Sequence, residues 1–350
     1  MPFNLFNSKK KKQPIARPTA QTLRQSSNTS VNENTLIDYP LIRGEIASVN
    51  DDRDDMAYKS GARHRSPMFA HDDLNEIRKR LEERDIILHE RIGTGTYADV
   101  YRGTNRTIGK DVAIKVITLN EANRHYQETH LQNELQVIRK LRHRRIIRLY
   151  SIVQVGNVLA MVMEYASRGN ISDLIAKRGA LREAATWALF KEMMKGIWYM
   201  HSLSIAHRDL KLENVLLSTY FIPKLCDFSF AIVFDGKTLC TTWCGSLPYF
   251  APELLTNQPY NPLQSDIWSA AVCVFIIAND SFPFKIGDEV HDALNAQLNR
   301  RWRLRRKTEE TYDEMFRNML NHMLEPLPAN RLTARQVLAH PWITTDRSGT

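Results

Sequence analysis

The segment His207-Arg208-Asp209-Leu210-Lys211-Leu212-Glu213-Asn214 sets a carboxylate, two cations and a carboxamide at fixed offsets, directly before the apolar run Val215-Leu216-Leu217. A short loop carrying that set ahead of a strand is equipped for acid–base and anion-handling chemistry. Thirteen residues beyond Asn214, Asp227 adds a carboxylate within Cys226-Asp227-Phe228-Ser229. Upstream, Val112-Ala113-Ile114-Lys115 puts a lysine on a run that reads as a buried strand. An ammonium there must snorkel to the surface or meet an anion, because an unpaired buried charge is expensive. Glu134 is the candidate partner, one residue from Leu135 and one turn from Ile138 near the apolar face of its segment; a solvated helix acid is the plainer reading. The stretch Ile92-Gly93-Thr94-Gly95-Thr96-Tyr97-Ala98-Asp99-Val100 carries glycines that suit either close approach of backbone to a ligand or an ordinary hairpin turn.

These residues need elements to hold them. The chain has 350 residues, 43% apolar and 25% charged, enough for a substantial core in two ordinary domains or one two-lobed domain with a tail. Residues 1–85 read as a disordered basic and polar extension with a short charged helix over 72–83 near its end. Two strands flank Gly93-Thr94-Gly95, a third spans 111–119, a helix covers 121–141, and further strands follow at 146–153 and 158–164. Beyond Gly169 the pattern turns helical, at 171–177, 181–201, 264–278, 289–298, 311–324 and 334–339. A strand-rich part followed by a helix-rich part predicts an α+β fold in two lobes, about 86–163 and 167–343, with a short tail over 344–350.

Net charge is +9 and the pI about 9.3, a basic balance that concerns surface fields and partners more than fold. The basic stretches 139–148 and 300–307, the second with Trp302 interleaved, read as solvated or protein-docking surfaces, and nucleic acid is not expected as a partner. No run reaches the ~20 apolar residues of a membrane span. No apolar segment follows Lys9-Lys10-Lys11-Lys12 to make a secretory signal, and the 4 cysteines form no disulfide framework. An intracellular, cytoplasmic setting is therefore expected. Lys9-Lys10-Lys11-Lys12 is either a nuclear-import patch or a solvated charge run.

The loop at 207–214 resembles the catalytic loop of protein kinases, and the other pieces stand in the matching order. From about residue 86 to 343 the chain is similar to a eukaryotic protein kinase domain, which implies the bilobal kinase fold, a small β-rich N-lobe and a larger helical C-lobe. The resemblance implies ATP and Mg2+ as cofactors. It makes Asp209 the acceptor of the hydroxyl proton, with Lys211 steadying the γ-phosphate and Lys115, paired with Glu134, on the α- and β-phosphates. Asn214 and Asp227 would hold Mg2+. The nucleotide would lie against Ile92, Gly93, Thr94, Gly95, Thr96, Tyr97, Ala98, Asp99 and Val100, with Ala113, Lys115 and Leu216 and the hinge residues Met163, Glu164 and Ala166. His207 has a structural part, Glu253 pairs with Arg331, and Asp266 holds the loop backbone. Lysine two residues after the aspartate implies protein substrates with serine or threonine acceptors.

The segment from Thr242 through Cys244-Gly245-Ser246 to Ala251-Pro252-Glu253 is similar to the calmodulin-kinase/AMP-activated group. Tyr97-Ala98, Glu213-Asn214-Val215-Leu216-Leu217-Ser218 and Pro259-Tyr260-Asn261-Pro262 resemble the testis-specific serine kinase family, which implies an association with sperm development. Ala98 replaces a glycine of the glycine-rich loop and Ser229 the glycine of D-F-G, which motivates a rival reading as a pseudokinase scaffold; every charged catalytic residue is nonetheless present. The resemblance further implies that Arg208 receives a phosphate placed on Thr242 by an upstream activating kinase. Glu213 would attract a basic residue of the substrate, and Asn170 and Arg168 limit that preference. A monomer is expected.

Overall fold

The computed structural model describes residues 71–95, 98–119, 124–285 and 290–347. Thr96, Tyr97 and residues 1–70, with Lys9-Lys10-Lys11-Lys12, lie outside them. Five antiparallel strands form the N-lobe sheet: β1 (Ile86–Thr94), β2 (Ala98–Asn105), β3 (Lys110–Thr118), β4 (Leu149–Val155) and β5 (Val158–Glu164), in the order β1-β2-β3-β5-β4. Val100, Lys115 and Met161 stand opposite one another across β2, β3 and β5, as do Arg102, Ala113 and Met163. Side chains directly opposite share a face, so Val100, Ala113, Lys115, Met161 and Met163 line one side. Val112, Ile114 and Val116 line the other, all fully buried. Both faces are covered, so β5 reads as an unbroken apolar run rather than an alternating one. Gly103 permits the tight seam between β1 and β3: a Cβ there would sit 2.5 Å from the Ile87 carbonyl and 2.6 Å from Ile114 Cδ1.

The cover on the outer face corrects the expectation for the N-terminal part. Helix α1 (His71–Glu82) does form, but it is a layer of the fold and not a solvated leader. Ile77 and Leu81, one turn apart, are fully buried and pack in one cluster with Ile86, Val112, Ile114 and Val162. Arg78 and, just past the helix, Arg84 donate to the carbonyls of Leu88 (3.3 Å) and Ile152 (3.5 Å), tying the C-terminal half of the helix to the sheet.

Helix α2 runs over 124–138, with a π-helical turn at Gln127–Leu131 between the α-helical pieces Arg124–Tyr126 and Gln132–Ile138. Beyond the π turn its buried side chains are Glu134, Val137 and Ile138, while Leu135, which the apolar periodicity placed in the core, is half-buried. The C-lobe packs α3 (Ile171–Arg178), α4 (Glu183–Ser202), α5 (Pro262–Asn279), α6 (Val290–Leu298), α7 (Arg306–Thr311), α8 (Glu314–Met323) and α9 (Ala334–Ala339). α7 escaped the sequence reading because Arg-Lys-Thr-Glu-Glu-Thr has no apolar rhythm; Thr308 anchors it by donating to the Ala278 carbonyl at 3.2 Å. Helix α5 is long and apolar enough to cross a membrane by composition alone, yet 83% of it is buried inside the lobe. Arg331 meets Glu253 through two hydrogen bonds of 2.8 and 3.0 Å with its side chain wholly buried, which closes the lobe as anticipated. Arg347, in the expected tail, is also buried and reaches Glu183 (2.8 Å) and Asp313 (2.6 Å).

Two short ribbons fix the loops that carry the polar residues. β6 (Ile205–Ala206) pairs with β9 (Ile232–Val233), and β7 (Val215–Leu217) pairs with β8 (Pro223–Leu225). The loop 207–214 joins β6 to β7 and the segment 226–231 joins β8 to β9, so antiparallel pairing brings both to the same end of the ribbons.

Truncating Leu81 to alanine should remove about 2–4 kcal/mol of stability through lost burial and the cavity left behind. Exposed Glu82→Ala should change it by less than about 0.5 kcal/mol. Urea denaturation of the two variants makes the comparison, and equal midpoints would show that α1 does not belong to the cooperative unit.

Candidate active site

Loop 207–214 is held from beneath by Asp266 on α5. Its carboxylate is 1% exposed and accepts the backbone amides of His207 and Arg208, each at 2.8 Å, and His201 Nε2 lies 3.0 Å away. Those amides are oriented by a left-handed backbone at Arg208, φ 64°, which the carboxylate stabilises. His207 is fully buried; its Nδ1 accepts the Asp209 amide at 3.3 Å, and its Nε2 lies 3.0 Å from the Cys226 carbonyl. That pattern assigns the proton to Nε2. The imidazole thus links the two loops, and the Cys226 amide donates back to the Asn214 carbonyl at 3.0 Å.

Asp209 is 4% exposed, and its carboxylate is surrounded by donors. Lys211 Nζ lies 2.8 Å from Oδ2, Asn214 Nδ2 donates to Oδ2 at 3.1 Å and to the main-chain carbonyl at 2.9 Å, and Ser246 Oγ donates to Oδ1 at 2.8 Å. Ser246 also accepts from Lys211 Nζ at 2.8 Å. Sequence reasoning missed Ser246, because no local offset connects it to a loop 37 residues away. The available signal was Gly245, whose φ of 107° and close approach to the Arg208 carbonyl, 2.5 Å from a hypothetical Cβ, exclude other residues.

Across the cleft, Lys115 Nζ donates to both oxygens of Glu134, at 2.8 and 2.7 Å, and Glu134 is 2% exposed. Burial works against the ammonium, but the charges of Glu134, Tyr126 and Asp227 outweigh it and hold Lys115 well above the ordinary lysine range. Two carboxyls of the site are pushed in opposite directions. Burial raises Asp209 against the opposing pull of Lys211 and Ser246, with Asp227 adding to the rise. Burial also acts on Asp227, but Lys115 foremost, then the Ser229 hydrogen bond, His207 and Lys211, brings it below the usual carboxylate range. Neighbouring carboxyls separated in this way suit one to take a proton and the other to remain an anion.

Asp227 adopts φ 61°, whereas Ser229 is not among the described residues with positive φ. Glycine is therefore not required at 229 in this conformation, and the serine amide contacts Asp227 Oδ1 at 3.5 Å. Phe228 is fully buried with its ring 5.3 Å from that of His207. Ala98 is 5% exposed within the core cluster, so a methyl group is accommodated where the resemblance expects glycine. The Gly95 amide donates to the Ala98 carbonyl at 2.8 Å and closes the loop.

The nucleotide-binding candidates are not all brought together. Val100, Ala113, Lys115 and Met163 share the inner face of the sheet. Gly93 and Thr94 close β1 beside Val100 and Asp99, and Ile92 is 44% exposed. Asp99 requires a correction: it lies opposite Val116 on the outer face, fully buried, with Arg91 3.4 Å away, because strand alternation sends it away from Val100. The Glu164 side chain is likewise engaged elsewhere, 2.5 Å from Lys224 Nζ and 3.3 Å from the Arg148 amide. Half-buried Leu216 forms a bridge to Asn170, which draws β7 toward the segment following Ala166.

Among the described residues no three His, Cys, Asp or Glu side chains converge to hold a metal unaided. Asn214 commits its Nδ2 to Asp209, and its main chain accepts the amide of Cys226, the neighbour of Asp227, so the Asn214 amide oxygen and the Asp227 carboxylate are the two oxygen donors that would hold a metal. Mg2+ fits such a set, since it commonly takes one or two protein ligands and completes its shell with water and phosphate.

A glycine-containing hairpin over a lysine–glutamate pair, facing a loop with a buried carboxylate, defines the two-lobed class of nucleotide-dependent phosphotransferases. Residues 86–343 match the protein kinase domain family, and the chain belongs to it. It is similar to human testis-specific serine/threonine-protein kinase 1, with 34% identity covering 77% of this chain and 74% of the relative. It is also similar to human NUAK family SNF1-like kinase 1, with 31% identity over 73% of this chain, and to the Caenorhabditis elegans serine/threonine-protein kinase kin-29, with 33% over 72%. The chain spans 38% and 30% of the lengths of those last two relatives.

Lys115→Met or Glu134→Leu alone should destabilise the protein by about 3–5 kcal/mol, because each leaves a buried charge unmatched. The double variant should lose less than the sum, with a coupling of about 0.5–3 kcal/mol, read from urea denaturation of all four proteins. Strict additivity would show that the pair carries no mutual stabilisation.

Proposed function

We propose that the chain is a serine/threonine protein kinase that transfers the γ-phosphate of ATP to hydroxyls of protein substrates. The observation that carries the reading is the simultaneous closure of the Lys115–Glu134 pair and the convergence of Lys211, Asn214 and Ser246 on Asp209. When bound, Mg2+ supplies charge neutralisation for the phosphates. Lys115 is held cationic to bind the α- and β-phosphates. Asp209 hydrogen-bonds the incoming hydroxyl and takes its proton as the new O–P bond forms. The bond from the γ-phosphorus to the bridging oxygen breaks, and its electron pair leaves with ADP. Lys211 and Ser246 orient the Asp209 carboxylate, so the acceptor oxygen is aimed before it reacts. Ser229 and Ala98 fit without disturbing this arrangement.

The regulatory part of the proposal rests on Arg208. Its Nε donates to the Phe230 carbonyl at 2.7 Å and its Nη1 to the Thr242 carbonyl at 3.4 Å, while Thr242 itself is exposed. A phosphate on Thr242 would bring acceptor oxygens beside a guanidinium already in place, and an upstream kinase would supply it. Glu213, exposed beside Ser172 and Tyr249, supports a modest preference for a basic residue in the substrate. The testis-specific relative makes male germ cells the first tissue to test, and the four free thiols fit the proposed cytoplasmic setting.

Asp209→Asn should abolish transfer from radiolabelled ATP to a serine peptide while nucleotide still binds. Transfer no higher than background by both wild type and variant would favour the scaffold reading. Thr242→Ala should reduce activity at least about tenfold if the phosphate supplies the charge-assisted contacts. Unchanged activity, with no phosphate at that residue by mass spectrometry, would remove the regulatory proposal.

A further inference from the structure

The basic stretch at 139–148 has no part in the site described above. The end of α2 and the start of β4 enclose a cavity of about 360 Å3 there, lined by Arg139, Arg142 and Arg148 around Leu149, Tyr150 and Ile152. The three arginines are exposed, as are neighbouring Lys140 and Arg144. Among the described residues none of these five cations has an ion-pair partner. Arg145, in the same stretch, shows the contrast: it is neutralised by Glu192 on α4. A solvated charge run needs no cavity, and a packing motif needs no unmatched guanidinium groups. Here several cations without ion-pair partners edge a hollow whose mixed lining includes Leu149 and Ile152.

We propose that this cavity is a docking site for an acidic peptide segment of a partner protein, with carboxylates on Arg139, Arg142 and Arg148 and a short apolar side chain against Leu149 and Ile152. Charge complementarity selects the sign of the ligand, and guanidinium groups suit paired carboxylates because they donate in a planar fork. The mixed lining selects peptide over nucleic acid. Single-stranded binders offer open aromatic faces for base stacking. The lining aromatic, Tyr150, already carries the Arg148 guanidinium over its ring at 5.7 Å. Leu149 and Ile152 stand opposite Met163 and Met161 and so share the inner face of the sheet, but on β4, its edge strand, and apart from the catalytic loop, so binding can be measured without phosphotransfer.

The test measures anisotropy of a fluorescein-labelled octaglutamate peptide ending in leucine, titrated with the full chain at low salt. Binding should weaken as salt rises, as expected for exposed charge pairs. The triple variant Arg139→Glu/Arg142→Glu/Arg148→Glu should bind at least tenfold more weakly. The charge-matched control Arg301→Glu/Arg303→Glu/Lys307→Glu, in the other basic stretch, should stay within twofold of wild type. If the triple reversal does not fold, Arg139→Gln/Arg142→Gln/Arg148→Gln replaces it, with circular dichroism confirming the fold and a fivefold or greater loss expected. Equal losses in cavity and control variants would reduce the effect to net charge and overturn the proposal. So would no binding by the wild type, or octauridylate or phosphatidylserine vesicles binding tenfold more tightly than the peptide through the same arginines.

Discussion

Lys115 places an ammonium on the inner face of β3, largely shielded from water, and that charge must be answered. Glu134 answers it from α2, a helix that borders the sheet without belonging to its strand ladder. One ion pair therefore decides where the helix stands relative to the sheet, and the π turn just before it lets Glu134, Val137 and Ile138 become the buried side. Asp227 joins the same electrostatic group from the C-lobe side, since its charge acts on Lys115 and Glu134. Geometry of the helix, the sheet and the segment after β8 is thus coupled through charges too costly to leave apart.

The second constraint is the anchoring of loop 207–214. Asp266 lies buried on a largely apolar helix, and it accepts the backbone amides of His207 and Arg208 at the start of the loop, with His201 Nε2 beside it. His207 then carries that order across to Cys226, next to Asp227. The positive φ at Arg208 and Asp227 shows where the backbone is held in sparsely used conformations. Each lies beside a polar side chain the site uses, and rigid surroundings sustain both.

Two departures from the family pattern lose their force when placed in three dimensions. Ser229 would matter if its backbone needed the freedom of glycine, but here it does not, and its hydrogen bond helps keep Asp227 ionised. Ala98 sits in the core, where a methyl group adds burial. Helix α1 shows the reverse case. Leu74, Ile77 and Leu81 recur at i, i+3 and i+7 and make one apolar face, but the rest of the helix is strongly polar and reads as a charged segment. Only the presence of an uncovered sheet face explains why that face is buried.

The sequence by itself determined the fold class and the order of the principal strands and helices, and it singled out Asp209, Lys211, Asn214, Asp227, Lys115 and Glu134 as candidates for one site. Those features are legible because they rest on short fixed offsets and on periodicity, both written locally in the chain. It misdirected on Asp99, counted with the nucleotide loop until strand alternation placed it on the far face, and on Arg347, assigned to a tail but locked against Glu183. It was silent on Ser246 and on the arginine-lined cavity. Tertiary structure alone decided those, for one physical reason. A hydrogen bond such as Ser246 to Asp209 joins segments whose separation along the chain leaves no local trace, and even the hollow lined within residues 138–152 depends on how the end of α2 and the start of β4 stand in space. Their meeting is set by the packing of everything between them.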